Sequence, residues 1–160
     1  MELKDLPRVY ESYQSKYSLP SYDELNKEFE LLYIGPLTSL DFPLRFMRRR
    51  IADRLASAVS YLQTLLQPNP SSLVYLRESS FFSVEEKQQI VVLLKEFMQL
   101  ERRSFALELT GSEQDDAHYI RDAHQHWLVL KKQYAAVVKK LPERWQQQEE
   151  KKTIRNQYVG

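Results

Sequence analysis

Five arginines fall close together where a helix begins in the sequence: Arg45, Arg48, Arg49, Arg50 and Arg54. Cations near a helix N-terminus oppose the helix dipole, at a cost of about 0.3–1 kcal/mol each when exposed. A helix with only a structural role has no reason to carry them there. Arginine binds phosphate and carboxylate through planar, bidentate contacts. The cluster therefore has two interpretations: pairing with Asp53 and the acidic first forty residues, which we favour, or contact with a polyanion or an acidic partner.

A second cluster of reactive side chains holds all three histidines of the chain: Asp115, Asp116, His118, Asp122, His124 and His126. His118, Asp122 and His126 recur at the four-residue spacing of metal ligands on a helix. The helical rise of about 1.5 Å per residue places the outer two roughly 12 Å apart, so one ion cannot bridge both. Another helix would have to supply carboxylates, and the candidates lack a diagnostic spacing: Glu96, Glu101 and Glu108. We therefore expect no bound metal and solvated histidines beside the core.

Tyr10, Tyr13 and Tyr17 form an aromatic stripe at helical spacing, with Arg8 and Lys16 nearby. Aromatic rings beside basic residues can stack on single-stranded bases. Such a stripe is more often the apolar face of an amphipathic helix. We expect these tyrosines to pack against the protein.

Several residue patterns of enzymes are missing from the sequence. Glycine occurs only at positions 35, 111 and 160, which excludes a glycine-rich phosphate loop, and neither a nucleophile elbow nor a zinc motif is present. The chain has no cysteine, so disulfides, thiolate metal sites and cysteine nucleophiles are excluded. We expect neither catalytic activity nor a cofactor.

Composition favours one helical domain over residues 1–160. The chain is 42% hydrophobic and 28% charged, with three glycines against seven prolines. Formal charge alternates along it, with −4 over 1–41, +4 over 42–61, −4 over 62–130 and +5 over 131–160, which predicts either charge-complementary segments or a basic surface for an acidic partner. No apolar run reaches the length of a signal peptide or a membrane span, so we expect a cytoplasmic protein.

The sequence of the N-terminal part, residues 1–36, predicts two short helices. The first covers 7–17. Ser21 and Glu24 form a capping box, which predicts a second helix running to about Tyr33, before a Gly-Pro pair. A third helix, capped by Asp41 with Pro43 in its first turn, follows from apolar residues three and four apart: Leu44, Met47, Ile51, Leu55, Ala58, Leu62 and Leu65.

Two further long helices complete the predicted core, which covers residues 42–141. After the turn QPNPSS and a short helical piece at LVYLRE, Ser83 and Glu86 form a second capping box. It opens a helix from Val84 to about Leu109, whose IVVLL stretch is apolar on more than one face; such a helix is central or lends its second face to a partner.

The last long helix begins at Ser112, and Pro142 starts a separate, kinked helix or partly flexible tail over 142–160. Its core seam consists of Ile120, Ala123, Trp127, Leu130, Tyr134, Val137 and Leu141. The prediction is an all-α, single-domain bundle with three long core helices and shorter N- and C-terminal helices.

The capping box SVEE at 83–86 and the KEFM stretch at 95–98 resemble the helical domain of the replication-associated GINS subunits. The resemblance covers about a third of the chain and rests on common helical residues. The small β domain of that family has no counterpart here, so no site residue is transferred from it.

The leading functional expectation is a non-catalytic interaction or scaffold protein that binds another protein. Its working parts are the surplus apolar face of 84–109 and the polar segment after Pro142. The alternative is a nucleic-acid-binding accessory protein that uses the arginine cluster and six lysines: Lys131, Lys132, Lys139, Lys140, Lys151 and Lys152.

Overall fold

A computed structural model describes residues 6–31 and 42–157, with side chains to residue 149. Helices account for 87% of these residues, and none of them is in a strand, which confirms the all-α class. Within these ranges, no helix is both long enough and apolar enough to cross a membrane. The helices are α1 (Leu6–Tyr17), α2 (Tyr22–Phe29), α3 (Pro43–Leu66), α4 (Leu73–Ser80), α5 (Val84–Thr110) and α6 (Glu113–Gln157).

Side-chain caps fix the starts of α2 and α5, as the sequence predicts. The Ser21 hydroxyl accepts from the Glu24 amide, and the Glu24 carboxylate accepts from the Ser21 amide at 2.8 Å. Ser83 and Glu86 repeat this reciprocal box at α5. Each box satisfies two amides that a helix start leaves without an intrahelical partner.

The core lies between α3, α5 and α6, which pack on one another as the three long helices of the bundle. Each predicted apolar residue of α3 is buried. On α6, the predicted seam is buried from Ile120 to Leu130 and again at Leu141, while Tyr134 and Val137 are partly buried. The shorter helices α1 and α2 add Tyr10 and Phe29 to this core.

The helix α2 is shorter than predicted. It ends at Phe29 because Glu30 adopts a left-handed conformation, with φ of 51°, and its amide donates to the Asn26 carbonyl. Glycine or asparagine normally takes this position, so a glutamate gives no signal of the stop. The predicted end at Tyr33 and the predicted cap Asp41 lie outside the described residues, and the structure assigns the N-cap position of α3 to Phe42, without a side-chain cap.

The prediction of a separate helix after Pro142 is wrong, because α6 continues through this proline to Gln157. Proline removes one backbone hydrogen bond from a helix, but contacts with the bundle on both sides can offset the loss. Leu141 is buried in the core. Arg144 binds Glu86 and the Phe81 carbonyl, and the Trp145 indole donates to Glu78 at 3.1 Å.

Candidate functional site

Arg48 does not reach solvent. Its side chain is 0% exposed and lies where α3 meets α5 and α6. Its Nε donates to Asp116 at 2.5 Å, one terminal nitrogen donates to both the carbonyl and the hydroxyl of Ser104, and the other donates to Glu108 at 2.7 Å. A buried charge is tolerated only when it is paired and hydrogen-bonded in this way. Arg48 therefore joins three helices through one guanidinium.

Arg49 shares the Glu108 carboxylate with Arg48. Its Nε and Nη2 each donate to Glu108 at 2.7 Å, a bidentate pair that closes the α3–α5 contact at the surface. The Arg49 guanidinium, with help from Arg48, lowers the pKa of Glu108 to about 2. Burial has the larger effect on Asp116 and raises its pKa, although Arg48 and Arg45 act in the opposite direction.

The other three arginines of the cluster are less buried than Arg48. Arg45 approaches Asp116 with its Nε at 4.0 Å and stacks over the Phe42 ring at 5.0 Å. Arg50 pairs with Asp53 at 3.5 Å, which is a pairing that the sequence favoured. Arg54 is exposed.

The carboxylates for Arg48 and Arg49 come from the end of α5 and the start of α6, a pairing that the sequence did not predict. The cations near the start of α3 thus neutralise acids of two neighbouring helices, which offsets their unfavourable position against the dipole of α3. Contact of the arginine cluster with a polyanion or an acidic partner stays a prediction.

Basic residues of α6 also pair with acids of the same chain. Lys131 donates to both oxygens of Glu28 on α2, at 2.6 and 2.7 Å. Lys140 and Arg144 bind Glu86, and these contacts, with the Ser83 amide, lower the pKa of Glu86 to about 2. Lys132 and Lys139 are exposed, and the Lys151 and Lys152 side chains lie outside the described set.

The histidine stripe does not assemble into a metal centre in the described part of the chain, where no three His, Asp or Glu side chains could together hold an ion. Asp122 pairs with Arg103 at 3.1 Å, and its carbonyl lies 2.8 Å from Nδ1 of His126. His124 is buried and packs edge-on against Phe29, whereas His118 is exposed.

The tyrosine stripe packs against the protein, as expected. Tyr10 is fully buried and donates to the Pro20 carbonyl at 2.7 Å. Tyr13 is partly buried, and Tyr17 donates to Glu113 at 2.7 Å beside Lys16. Tyr10 and Tyr17 therefore use their hydroxyls within the chain.

A groove of about 460 Å³ lies between α5 and α6, and its lining residues belong to these two helices; we call it the α5–α6 groove. Val92 is 61% exposed and Val129 is 60% exposed, one on each wall. The lining residues are Val92, Glu96, Gln125, His126, Val129, Leu130 and Gln133. Most of them are apolar or uncharged amides.

Sequence reasoning found half of this groove. The surplus apolar face of α5 was visible in IVVLL, of which Val91 and Val92 are exposed. The matching wall on α6 was missed. The predicted seam placed Leu130 in the core and left Val129 outside it, but the sequence does not show that Val129 borders the same groove as Val92.

Comparisons of the chain with protein-family models, with curated proteins and with solved structures find no match. The resemblance to the GINS subunits accordingly stays an expectation from sequence.

Proposed function

We propose that this chain is a non-catalytic protein-interaction module that holds a helix of a partner protein in the α5–α6 groove. The observation that carries the proposal is the pair of exposed valines, Val92 on α5 and Val129 on α6, that line one open groove. Exposed apolar surface framed by polar residues is typical of interaction sites.

The shape and rim of the groove favour a helical occupant. Two antiparallel helices leave a trough that accepts the apolar face of an amphipathic helix. Gln125 and Gln133 on the rim donate and accept hydrogen bonds without the cost of stripping water from a charge. The Arg103–Asp122 ion pair on the same two helices provides a polar border.

Nucleic-acid binding is the second candidate, and the contacts support it less. Arg48 is fully buried, and Arg49, Lys131 and Lys140 each lie within hydrogen-bonding distance of a carboxylate. A phosphate would have to displace these internal partners, which reduces its gain in free energy.

The test places a photo-crosslinking amino acid at position 92, at 129 or at 73 in the native host. Leu73 on α4 is the matched control because it is also an exposed apolar residue, outside the groove. We expect the same protein to be captured from 92 and 129 but not from 73. Val92→Asp with Val129→Asp should abolish the binding of that protein, whereas Leu73→Asp should not.

Because Val92, Val129 and Leu73 are exposed, each variant should melt within a few degrees of the native chain. Equal capture from all three positions, or unchanged binding by the double variant, contradicts the proposal. Salt-dependent capture of nucleic acid alone would favour the second candidate.

A further inference from the structure

A smaller groove of about 110 Å³ lies between α3 and α5; we call it the α3–α5 groove. Its α3 wall includes two small residues, Ala52 and Ala56, and its α5 wall includes Phe105, which is 55% exposed. Small residues on one helix and an uncovered ring on the other leave room for a flat or slender side chain.

Glu101 lines the same groove and has a buried carboxylate oxygen without a hydrogen bond to any described residue. The residue is only 9% exposed, and its Oε2 makes no hydrogen bond within the described part of the chain. A carboxylate oxygen removed from water without a donor is unfavourable, and buried polar atoms in proteins are nearly always satisfied. Oε2 of Glu101 therefore lacks a donor among the residues described, and the residue borders an opening.

Arg102 shows which chemistry suits this position. Its guanidinium lies 5.6 Å from the centre of the Phe105 ring, and its Nη1 is 3.9 Å from Glu101 Oε2, too far for a hydrogen bond. Arg102 is exposed, so this arrangement costs little to break. The protein's own arginine thus lies over the same ring and approaches the same carboxylate without satisfying it.

The charges that line the groove favour a cation over an anion. They are three acids, Asp53, Glu101 and Glu108, and one base, Arg49. Arg49 is already bound at two points by Glu108. The remaining negative charge is that of Asp53 and Glu101, with Arg50 3.5 Å from Asp53 at the surface.

We propose that the α3–α5 groove receives an arginine side chain of a partner protein, which takes the place of Arg102 on the Phe105 ring and donates a hydrogen bond to Glu101. The guanidinium supplies the donors that Glu101 lacks and is flat enough to lie on the ring beside Ala52 and Ala56. The idea rests on the proposed interaction function and adds one chemical requirement of the partner: an exposed arginine.

The test uses N-acetyl-arginine amide as the probe and N-acetyl-citrulline amide as its neutral, nearly isosteric control. Protein labelled with ¹³C at the alanine methyl groups reports on the groove directly through Ala52 and Ala56. We expect the arginine probe to shift these two methyl signals with a dissociation constant on the order of millimolar, as suits a small ligand. The citrulline probe should leave them unchanged.

Four variants are expected to change the affinity for the arginine probe in different ways. Arg102→Gln removes the internal competitor and should tighten probe binding roughly two- to fivefold, the range of an exposed ion pair. Phe105→Ala should weaken it by a similar factor, and Glu101→Gln should abolish it. Glu96→Gln, an exposed glutamate of the same helix in the α5–α6 groove, should bind the probe as the native chain does.

Equal shifts with the citrulline probe, or unchanged affinity in both Arg102→Gln and Phe105→Ala, overturn the proposal even if Glu101→Gln does not fold. The outcome is independent of the crosslinking test. If a partner is captured through Val92 and Val129 but the probe does not bind, only the proposal for the α3–α5 groove is contradicted. If the probe binds but no partner is captured, only the proposed interaction function is contradicted.

Discussion

Arg48 is the residue on which three helices depend. Its guanidinium makes four hydrogen bonds, to Asp116, to Glu108 and twice to Ser104, so that α3, α5 and α6 each contribute to one polar centre. An isolated charge at this depth would be strongly unfavourable, and its partners are equally dependent on it. The network makes the relative positions of the three helices specific, because sliding any one of them would leave a charge without a partner.

Arg48→Met should destabilise the protein by about 3–5 kcal/mol, because Asp116 would remain buried without its cation. A change of that size lowers the melting temperature by about 10 °C in a chain of this length. Arg54→Gln, an exposed arginine of the same helix, is the control and should shift stability by less than about 0.5 kcal/mol. Adding Asp116→Asn to Arg48→Met should recover part of the loss. Equal melting of the Arg48 and Arg54 variants would contradict the network.

Glu86 should give the protein part of its resistance to acid. Arg144 and Lys140 lower its pKa from 4.5 to about 2. A carboxyl whose pKa is lower in the folded state stabilises the fold above its unfolded pKa, and this contribution is lost as the pH falls from about 4.5 to about 2.

Glu86→Gln should therefore lower the free energy of unfolding at pH 7 by about 1–2 kcal/mol. It should also flatten the decline of stability between pH 4.5 and 2, measured by urea unfolding across that range. Glu96→Gln is the control with an unchanged profile. A Glu86 variant as steeply acid-sensitive as the native chain would show that these contacts do not form in solution.

Among the helices, α6 departs most from its local sequence signal. Pro142 lies inside it, at a position where a proline normally ends or bends a helix. The Arg144–Glu86 and Trp145–Glu78 contacts follow directly after the proline and attach this part of α6 to the start of α5 and to α4. These contacts join residues more than fifty positions apart, which explains why the sequence near Pro142 predicted a break.

Pro142→Ala should stabilise the protein by up to about 3 kcal/mol, because alanine restores the missing amide donor and has the better helix propensity. Thermal unfolding monitored by circular dichroism measures the change. Pro70→Ala, in the exposed turn between α3 and α4, is the matched proline replacement and should not give the same gain. A loss of stability in Pro142→Ala would mean that the geometry at the proline is required for the Arg144 and Trp145 contacts.

At the scale of single helices, the sequence predicted much of the fold. Ser21–Glu24 and Ser83–Glu86 located two helix starts because a capping box is a local motif. The end of α2 at Phe29 was missed because the left-handed residue is Glu30. The inward direction of Arg48 could not be read either: its neighbour Met47 is an ordinary core residue, and the partners Asp116 and Glu108 are brought in by tertiary packing.

For the whole molecule, the alternation of charge along the chain becomes pairing in space. Lys131 binds Glu28, Lys140 binds Glu86, Arg49 binds Glu108 and Lys16 binds Glu113, so each of these pairs joins a basic to an acidic segment or closes the N-terminal helices onto α6. With a formal net charge of +1, little field remains to attract a polyanion over a distance.

We therefore expect no salt-dependent binding of duplex DNA. Fluorescence anisotropy of a labelled duplex, titrated at several salt concentrations, tests this. Each neutralised phosphate adds about 0.9 to the slope of log affinity against log salt. A slope of several units that decreases in Arg45→Gln with Arg54→Gln, but not in Arg8→Gln, would contradict the expectation and support nucleic-acid binding by the arginine cluster.

The length of α6 also determines how the molecule rotates in solution. Its 45 residues extend about 67 Å, whereas a compact protein of this chain length is roughly 40 Å across. Viscous drag on a body with such a long axis slows end-over-end rotation much more than rotation about the axis. The N–H bonds of a helix lie along its axis, so ¹⁵N relaxation of α6 should report the slow end-over-end rotation. The protein should therefore tumble like a rod of larger apparent mass.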